Sequence, residues 1–142
     1  MKDKTMFDTN ILVYAFDIES GKKHEICKSL VEKVFYGQSD GIVSNQILGE
    51  LFYTLTKKSG HNLSAEDAYK IVEKLIDSDK WVKLNYSAET VKRAMSNFKN
   101  TGMHFWDAII AETMKENGIT TIITENTEDF KNSGVKTINP LK

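Results

Sequence analysis

Apolar residues follow two kinds of pattern along this chain. Short runs rich in apolar and β-branched residues predict five strands. They are residues 5–9, 41–45, 81–85, 119–124 and 135–139. Between them, apolar residues recur every three or four positions, as in helices that bury one face. This spacing covers residues 22–35, 46–58, 65–78, 104–118 and the segment from Ser87 to Phe98.

Polar residues and glycines mark the expected helix ends. Ser64 and Ser87 stand where N-caps are expected. Ser59-Gly60 and Asn117-Gly118 stand where helices should end. The helix that follows Ser87 is predicted to bury one face, made of Val91, Ala94, Met95 and Phe98. The core is also the expected place for three aromatic residues, Phe52, Tyr53 and Trp106.

The alternation of strands and helices predicts the fold class. Strands separated by one or two helices need crossover connections, which are right-handed and make the strands parallel. We therefore predict an α/β fold in a single domain over residues 1–142, with a central, mostly parallel sheet of four to five strands flanked by helices on both faces. Ligands bind such sheets beyond the carboxyl ends of the strands, so functional residues are expected there.

Composition excludes some classes of protein without identifying a site. The 19 basic and 20 acidic residues give a formal net charge of −1, so no overall basic surface for nucleic acid is predicted. The single cysteine, Cys27, lies in a helical apolar pattern and is expected to be a buried, reduced thiol. A signal-peptide pattern and an apolar run of membrane-spanning length are both lacking, so a cytoplasmic protein is expected.

Acidic residues occur where the pattern predicts buried structure. Asp8 interrupts the apolar opening of the chain, where a carboxylate costs free energy unless something compensates for it. Taken alone, Asp8 is better interpreted as the N-cap of a helix over residues 11–16. Glu50 is the only charged residue of segment 46–56, and it is either an exposed residue or part of a site. Gly49 beside it suggests a close approach of the backbone.

Asp107 begins an apolar stripe on a predicted helix. Positions 107, 110, 111 and 114 share one helix face, and the other three are apolar. A favourable interaction with the helix dipole explains an acid in the first turn, but not its place on an apolar face. The loop after the fourth predicted strand contains three further acids, Glu125, Glu128 and Asp129. Four acidic stretches are therefore expected to converge on one edge of the sheet.

Convergent acids repel one another unless a cation lies between them. Oxygen ligands without clustered cysteine or histidine favour Mg²⁺ or Mn²⁺ over Zn²⁺. The three histidines, His24, His61 and His104, lack metal-ligand spacing. Carboxylates that hold such an ion, with open positions for water and phosphate, are typical of phosphodiester cleavage.

Several short motifs carry a resemblance to a known family. They are FDTNILVYA (7–15), Glu50, WDAIIAE (106–112) and TENTEDF (124–130), in this order over the length of the chain. The sequence resembles the PIN domain and, within it, the ribonuclease toxins of VapC type from toxin–antitoxin pairs. The resemblance implies a parallel sheet flanked by helices, Mg²⁺- or Mn²⁺-dependent endoribonuclease activity, and a homodimer.

The resemblance also implies roles for individual residues. The implied catalytic acids are Asp8, Glu50, Asp107 and Asp129, of which the first three are the implied metal ligands. The residues implied to orient carboxylates or substrate are Thr9, Asn10, Thr124 and Asn126. Many members of the family have an acid where this chain has Asn126. The residue that completes the site therefore stays open among Asn126, Glu125, Glu128 and Asp129.

The resulting hypothesis is metal-assisted hydrolysis of RNA. Asp8, Glu50 and Asp107 hold the ion, and an activated water attacks the phosphodiester in line and leaves a 5′-phosphate. The expected partners are an RNA substrate and a cognate antitoxin protein, whose basic side chain enters the acidic pocket. The alternative is a catalytically silent PIN-like module that binds RNA or a protein. An aspartyl-phosphate phosphatase needs a second aspartate at the position of Asn10.

Overall fold

The computed structural model describes residues 4–57 and 63–142, so the helix end predicted at Ser59-Gly60 lies outside the described residues. The strands are β1 (Thr5–Phe7), β2 (Gly41–Ser44), β3 (Trp81–Leu84), β4 (Thr121–Ile123) and β5 (Lys136–Ile138). The α-helices are α1 (Thr9–Phe16), α2 (Lys22–Phe35), α3 (Asn45–Lys57), α4 (Ala65–Asp77), α5 (Ala88–Thr101) and α6 (Phe105–Glu116). Short 3₁₀ helices span Ile18–Ser20 and Thr127–Phe130. Among these helices, none has the length and apolar character needed to cross a bilayer.

The strands form one parallel sheet in the order β3-β2-β1-β4-β5. Met6 of β1 is in register with Ile42 of β2 on one side and with Ile122 of β4 on the other. All three side chains are fully buried, as expected for central strands of a parallel sheet covered on both faces. The predicted α/β fold with a mostly parallel sheet is confirmed, and every strand pair is parallel.

The connections identify the edge where a ligand should bind. The chain passes from β1 through α1 and α2 to β2, and through α3 and α4 to β3, in one direction across the sheet. It returns through α5 and α6 to β4 on the other side of β1. Since crossovers of this kind are right-handed, α1–α4 cover one face and α5 and α6 cover the other. The reversal between β1 and β4 is a topological switch point, the usual ligand position in open α/β sheets.

Local chemistry sets the helix ends near this edge. Asp8 directly follows Phe7 and caps α1, so the first strand ends two residues earlier than predicted. The predicted N-caps Ser64 and Ser87 are confirmed by side-chain hydrogen bonds to the first turns of α4 and α5. The predicted stop at Asn117-Gly118 follows α6 directly.

The prediction of a close backbone approach at Gly49 is wrong. A Cβ at Gly49 would meet no atom within 4 Å. Among the described glycines, Gly41 at the start of β2 has the closest neighbours. A Cβ there would lie 2.8 Å from side-chain atoms of both Val34 and Trp81.

Burial on α5 agrees with the prediction only in part. Cys27, which lies on α2, is a free, fully buried thiol, as expected. On α5, Ala94 is fully buried, as predicted. Met95 and Phe98, which were predicted to be buried, are each 52 % exposed. The contact face of α5 against α6 is narrower than its apolar stripe, so the stripe extends into solvent.

The aromatic residues expected in the core lie at the surface instead. Phe52, Tyr53 and Trp106 are 37 %, 62 % and 49 % exposed. Phe52 borders an apolar cavity of about 490 Å³ between α3 and α4, together with Tyr69 and Ile76. We call this cavity the α3–α4 groove.

Candidate active site

A cleft of about 490 Å³ lies beside the carboxyl ends of β1 and β4. It is lined by six of the predicted site residues, Asp8, Thr9, Asn10, Glu50, Asp107 and Asn126. They come from the start of α1, from α3, from the start of α6 and from the loop after β4. Three of the six are acids, and no described residue that lines the cavity is basic. We call this cavity the acidic cleft.

Asp8 is fixed on both carboxylate oxygens. The Thr9 N–H donates to Oδ1 at 2.7 Å, and the Thr124 hydroxyl donates to Oδ2 at 2.8 Å. Burial raises the pKa of Asp8 most strongly, the hydrogen bonds from Thr124 and Thr9 oppose this, and the charge of Glu50 raises the pKa further. The N-cap interpretation is confirmed, and the same carboxylate also lines the acidic cleft.

The direction of the Thr124 hydroxyl follows from its neighbours. Thr124 Oγ1 accepts a hydrogen bond from the Asn126 N–H at 3.0 Å and one from Asn10 Nδ2 at 3.5 Å. A hydroxyl has two acceptor positions and one hydrogen, so the hydrogen is left for Asp8. Thr124 is fully buried, and its hydrogen bond to Asp8 links the end of β4 to the end of β1.

Glu50 reaches the acidic cleft from α3 and is also held on both oxygens. The Thr9 hydroxyl donates to Oε1 at 2.8 Å, and Gln46 Nε2 donates to Oε2 at 3.2 Å. Gln46 Nε2 also donates to the Trp106 carbonyl at 3.0 Å, which joins α3 to the first turn of α6. Gln46 Oε1 is buried and has no hydrogen-bond partner among the described residues. The amide that binds Glu50 therefore leaves its own oxygen unpaired, behind the residues that line the cleft.

Asp107 lies half-buried in the first turn of α6. Burial, followed by the charges of Asp8 and Asp129, raises the pKa of Asp107 to about 6, and the nearby His104 acts against this. His104 Nδ1 lies 3.6 Å from Asp107 Oδ2. A raised pKa is expected when carboxylates share a site without a cation between them.

Asn126 and Asp129 differ in whether they line the acidic cleft. Asn126 lines the acidic cleft, whereas Asp129 is an exposed residue of the 3₁₀ helix after β4. Asp129 lines a neighbouring cavity of about 190 Å³ together with His104. Its charge nevertheless contributes to the raised pKa of Asp107. The predicted fourth acid is thus near the cleft but outside its lining.

The two other acids of this loop are directed elsewhere. Glu125 accepts hydrogen bonds from Tyr14 Oη and from Lys23 Nζ. Burial raises the pKa of Glu125, but those two hydrogen bonds outweigh it and hold the pKa below its ordinary value. Glu128 is exposed and pairs with Lys131 at 3.3 Å. Neither carboxylate lines the acidic cleft.

The family to which this site belongs follows from the sequence comparison. Residues 5–135 match the PIN domain. The chain belongs to the PIN domain family. No curated protein matches the sequence.

Solved structures with the same fold include a toxin and a toxin–antitoxin complex. A toxin–antitoxin complex from Klebsiella pneumoniae is 22 % identical with a TM-score of 0.65, over 98 % of this chain and 99 % of that chain. VapC20 of Mycobacterium tuberculosis, described as a toxin that cleaves the sarcin–ricin loop, is 18 % identical with a TM-score of 0.65, over 84 % and 87 %. DNA-bound VapBC from Salmonella typhimurium is 21 % identical with a TM-score of 0.67, over 97 % and 98 %. At these identities, the similarity shows a shared fold.

The donor atoms of this PIN domain's cleft suit a hard divalent ion. They are carboxylate, amide and hydroxyl oxygens, the ligands that Mg²⁺ and Mn²⁺ prefer. Burial raises the pKa values of Asp8 and Asp107 most strongly, and the charges of neighbouring acids raise them further. In residues 4–57 and 63–142, no three acidic, histidine or cysteine side chains already surround one metal position. The residues therefore fit such an ion by their chemistry.

Two residues at the cleft of this PIN domain were missed by the sequence analysis. Gln46 binds Glu50, and His104 lies beside Asp107. Both signals were present in the sequence, because Gln46 precedes Glu50 by four residues and His104 precedes Asp107 by three. These are the spacings at which side chains meet on a helix.

Proposed function

We propose that this PIN domain is a Mg²⁺- or Mn²⁺-dependent endoribonuclease and the toxin of a type II toxin–antitoxin pair. One observation carries the proposal. Asp8, Glu50 and Asp107 line one cleft at the switch point of the sheet, without a basic residue among its described lining. Carboxylates in this arrangement need a cation, and a divalent ion held by oxygen ligands is a common catalyst of phosphodiester hydrolysis.

We assign Asp8 and Asp107 as the principal ligands, with Glu50 as a further ligand. Asn126 is the residue of the last loop best placed to contribute, because it lines the acidic cleft. Asp129 adds negative charge from the border of the cleft. When bound, the ion supplies a Lewis acid that activates water and stabilises charge on the phosphate.

Thr9, Asn10 and Thr124 orient the carboxylates. Thr9 donates its N–H to Asp8 and its hydroxyl to Glu50, so one residue sets both acids. Asn10 and Thr124 hold the second oxygen of Asp8. These hydrogen bonds reduce the freedom of the carboxylates, which lowers the cost of gathering them around an ion.

The proposed partners are RNA, an antitoxin and a second copy of the chain. The formal net charge of −1 favours an RNA selected by its shape over one held by a broad basic surface. The similar complexes from Klebsiella pneumoniae and Salmonella typhimurium support an antitoxin partner, to be tested by co-purification. The α3–α4 groove offers apolar surface for a homodimer. Analytical ultracentrifugation, which measures the mass of the particle in solution, tests for the dimer. An enzyme that cuts cellular RNA would act in the cytoplasm, the location we propose.

The first test is cleavage of labelled structured RNA with Mg²⁺ or Mn²⁺. The wild-type protein should cut the RNA, and cleavage should stop when EDTA is added. Asp107→Asn should lose activity by about 100-fold or more, because a metal ligand contributes at least as much as the residues that orient it. Glu66→Gln is the matched control, since Glu66 is an exposed acid on α4 that pairs with Lys70, away from the acidic cleft.

Full metal-dependent activity in Asp107→Asn would contradict the site assignment. A wild-type protein that cuts none of several RNAs and binds no Mn²⁺ in a calorimetric titration would support the catalytically silent alternative instead.

A further inference from the structure

Glu125 is an acid beside the acidic cleft whose carboxylate is bound elsewhere. Tyr14 Oη donates to Oε1 at 2.5 Å, and Lys23 Nζ donates to Oε2 at 2.7 Å. Lys23 Nζ also lies 5.0 Å from the centre of the Tyr14 ring, so the three side chains form one cluster. We call Tyr14, Lys23 and Glu125 the Glu125 triad.

The main chain of Glu125 is held as well. Its N–H donates to Asn10 Oδ1 at 3.1 Å, and its carbonyl accepts from Asn139 Nδ2 at 3.5 Å. Asn10 and Tyr14 are one turn apart on α1, so one helix face binds both the backbone and the side chain of Glu125. The loop after β4 is thereby fixed to α1.

The residues on either side of Glu125 belong to the acidic cleft. Thr124 donates to Asp8, and Asn126 lines the cleft and donates its N–H to Thr124. A displacement of Glu125 would therefore move a cleft residue and a hydrogen-bond donor of Asp8 together.

We propose that the Glu125 triad positions the acidic cleft from outside it. The triad holds the loop after β4 where Thr124 can orient Asp8 and Asn126 can complete the metal site. Glu125 is thus a positioning residue and contacts neither the ion nor the RNA. The inference rests on the proposed function, because the positioned site is the proposed metal site. Residues that orient metal ligands typically contribute about 10- to 100-fold in metal affinity or activity.

The chain contains a matched control for this triad. Glu116 at the end of α6 accepts from the Thr90 hydroxyl on Oε1 and from the Arg93 guanidinium on Oε2. Its side chain is 23 % exposed, against 26 % for Glu125, and the paired cations are 49 % and 48 % exposed. The two acids thus have the same kind of partners and the same burial. Only Glu125 adjoins residues of the acidic cleft.

The experiment compares Glu125→Gln, Tyr14→Phe and Glu116→Gln with the wild-type protein. Calorimetry measures the Mn²⁺ affinity, and RNA cleavage assays give kcat and KM. Thermal denaturation in EDTA measures the stability of each metal-free variant. Glu125→Gln should weaken Mn²⁺ binding and lower kcat by about 10-fold each, with KM unchanged. Tyr14→Phe, which removes only the hydroxyl, should act in the same direction with a smaller effect. Glu116→Gln should lose comparable thermal stability but keep Mn²⁺ affinity within about twofold.

A second measurement needs no metal. In EDTA, hydrogen exchange over residues 121–130 should be faster in Glu125→Gln than in Glu116→Gln. Weaker contacts to Tyr14 and Lys23 let the loop move more often, so the N–H groups at positions 125 and 126 leave their acceptors more often.

The outcomes separate the two proposals. A wild-type protein that binds no Mn²⁺ and cuts no RNA would overturn the proposed function and the inference with it. Wild-type binding that Glu125→Gln leaves unchanged, or that Glu116→Gln weakens equally, would overturn the positioning role alone.

Discussion

Asp8 has two structural roles, which the sequence analysis treats as alternatives. Its Oδ1 accepts the Thr9 N–H at the start of α1, and its Oδ2 accepts the Thr124 hydroxyl. A helix start attracts a carboxylate because its N–H groups are unpaired and its dipole is positive there. The first helix begins at the switch point of the sheet, so the capping carboxylate is also a cleft carboxylate. The two interpretations of Asp8 are therefore compatible.

Asp107→Asn should stabilise the metal-free protein in a pH-dependent manner. The pKa of Asp107 is raised from 3.8 to about 6 on folding, so its ionisation opposes folding as the pH rises through this range. Asparagine does not ionise, and the variant should gain on the order of 2 kcal/mol at about pH 7.5 and almost nothing at about pH 4. Urea denaturation in EDTA at both pH values measures the difference. A gain of equal size at both values would show that charge is not its cause.

Replacing a glycine by alanine should change the free energy of unfolding in opposite directions at two positions, one in α3 and one in β2. Gly49→Ala adds a Cβ that meets no atom within 4 Å on α3, so it should raise the free energy of unfolding by up to about 1 kcal/mol. Gly41→Ala puts a Cβ 2.8 Å from Val34 and Trp81, so it should destabilise by about 1–3 kcal/mol. Chemical denaturation of both variants tests this. Destabilisation by Gly49→Ala would indicate a contact that the structure does not show.

The elements show how far a sequence pattern reaches. The alternation of short apolar runs and helical stripes predicted a mostly parallel sheet of four to five strands, because the period of each element is a local property. The burial of Met95 and Phe98 could not be predicted in this way, since it depends on how much of α5 its partner helix covers. The site behaves similarly. The sequence places Glu125 directly after a strand, but the direction of its side chain depends on Tyr14 and Lys23, more than 100 residues away in the chain.

The arrangement of the whole molecule explains why a nearly neutral chain can have a strongly acidic site. The formal net charge is −1, yet three acids from distant segments line one cleft without a basic residue among the described lining. The strand order brings them there, because β1 and β4 are neighbours in the sheet and far apart in the sequence. In an unfolded chain the same acids are dispersed. A divalent ion should consequently bind the folded protein much more tightly than the unfolded one.

That difference predicts a thermal shift for the whole domain. Mn²⁺ at about 100 times its dissociation constant should add about 2.7 kcal/mol to the free energy of unfolding, which corresponds to a rise in Tm of about 10 °C for a domain of this size. Differential scanning fluorimetry with Mn²⁺ or EDTA, at equal ionic strength, measures the rise. Asp107→Asn should lose most of it, and Glu66→Gln should keep it, because Glu66 is an exposed acid of α4. An equal rise in Asp107→Asn would place the ion away from the acidic cleft, since stabilisation by a ligand requires the residues that bind it.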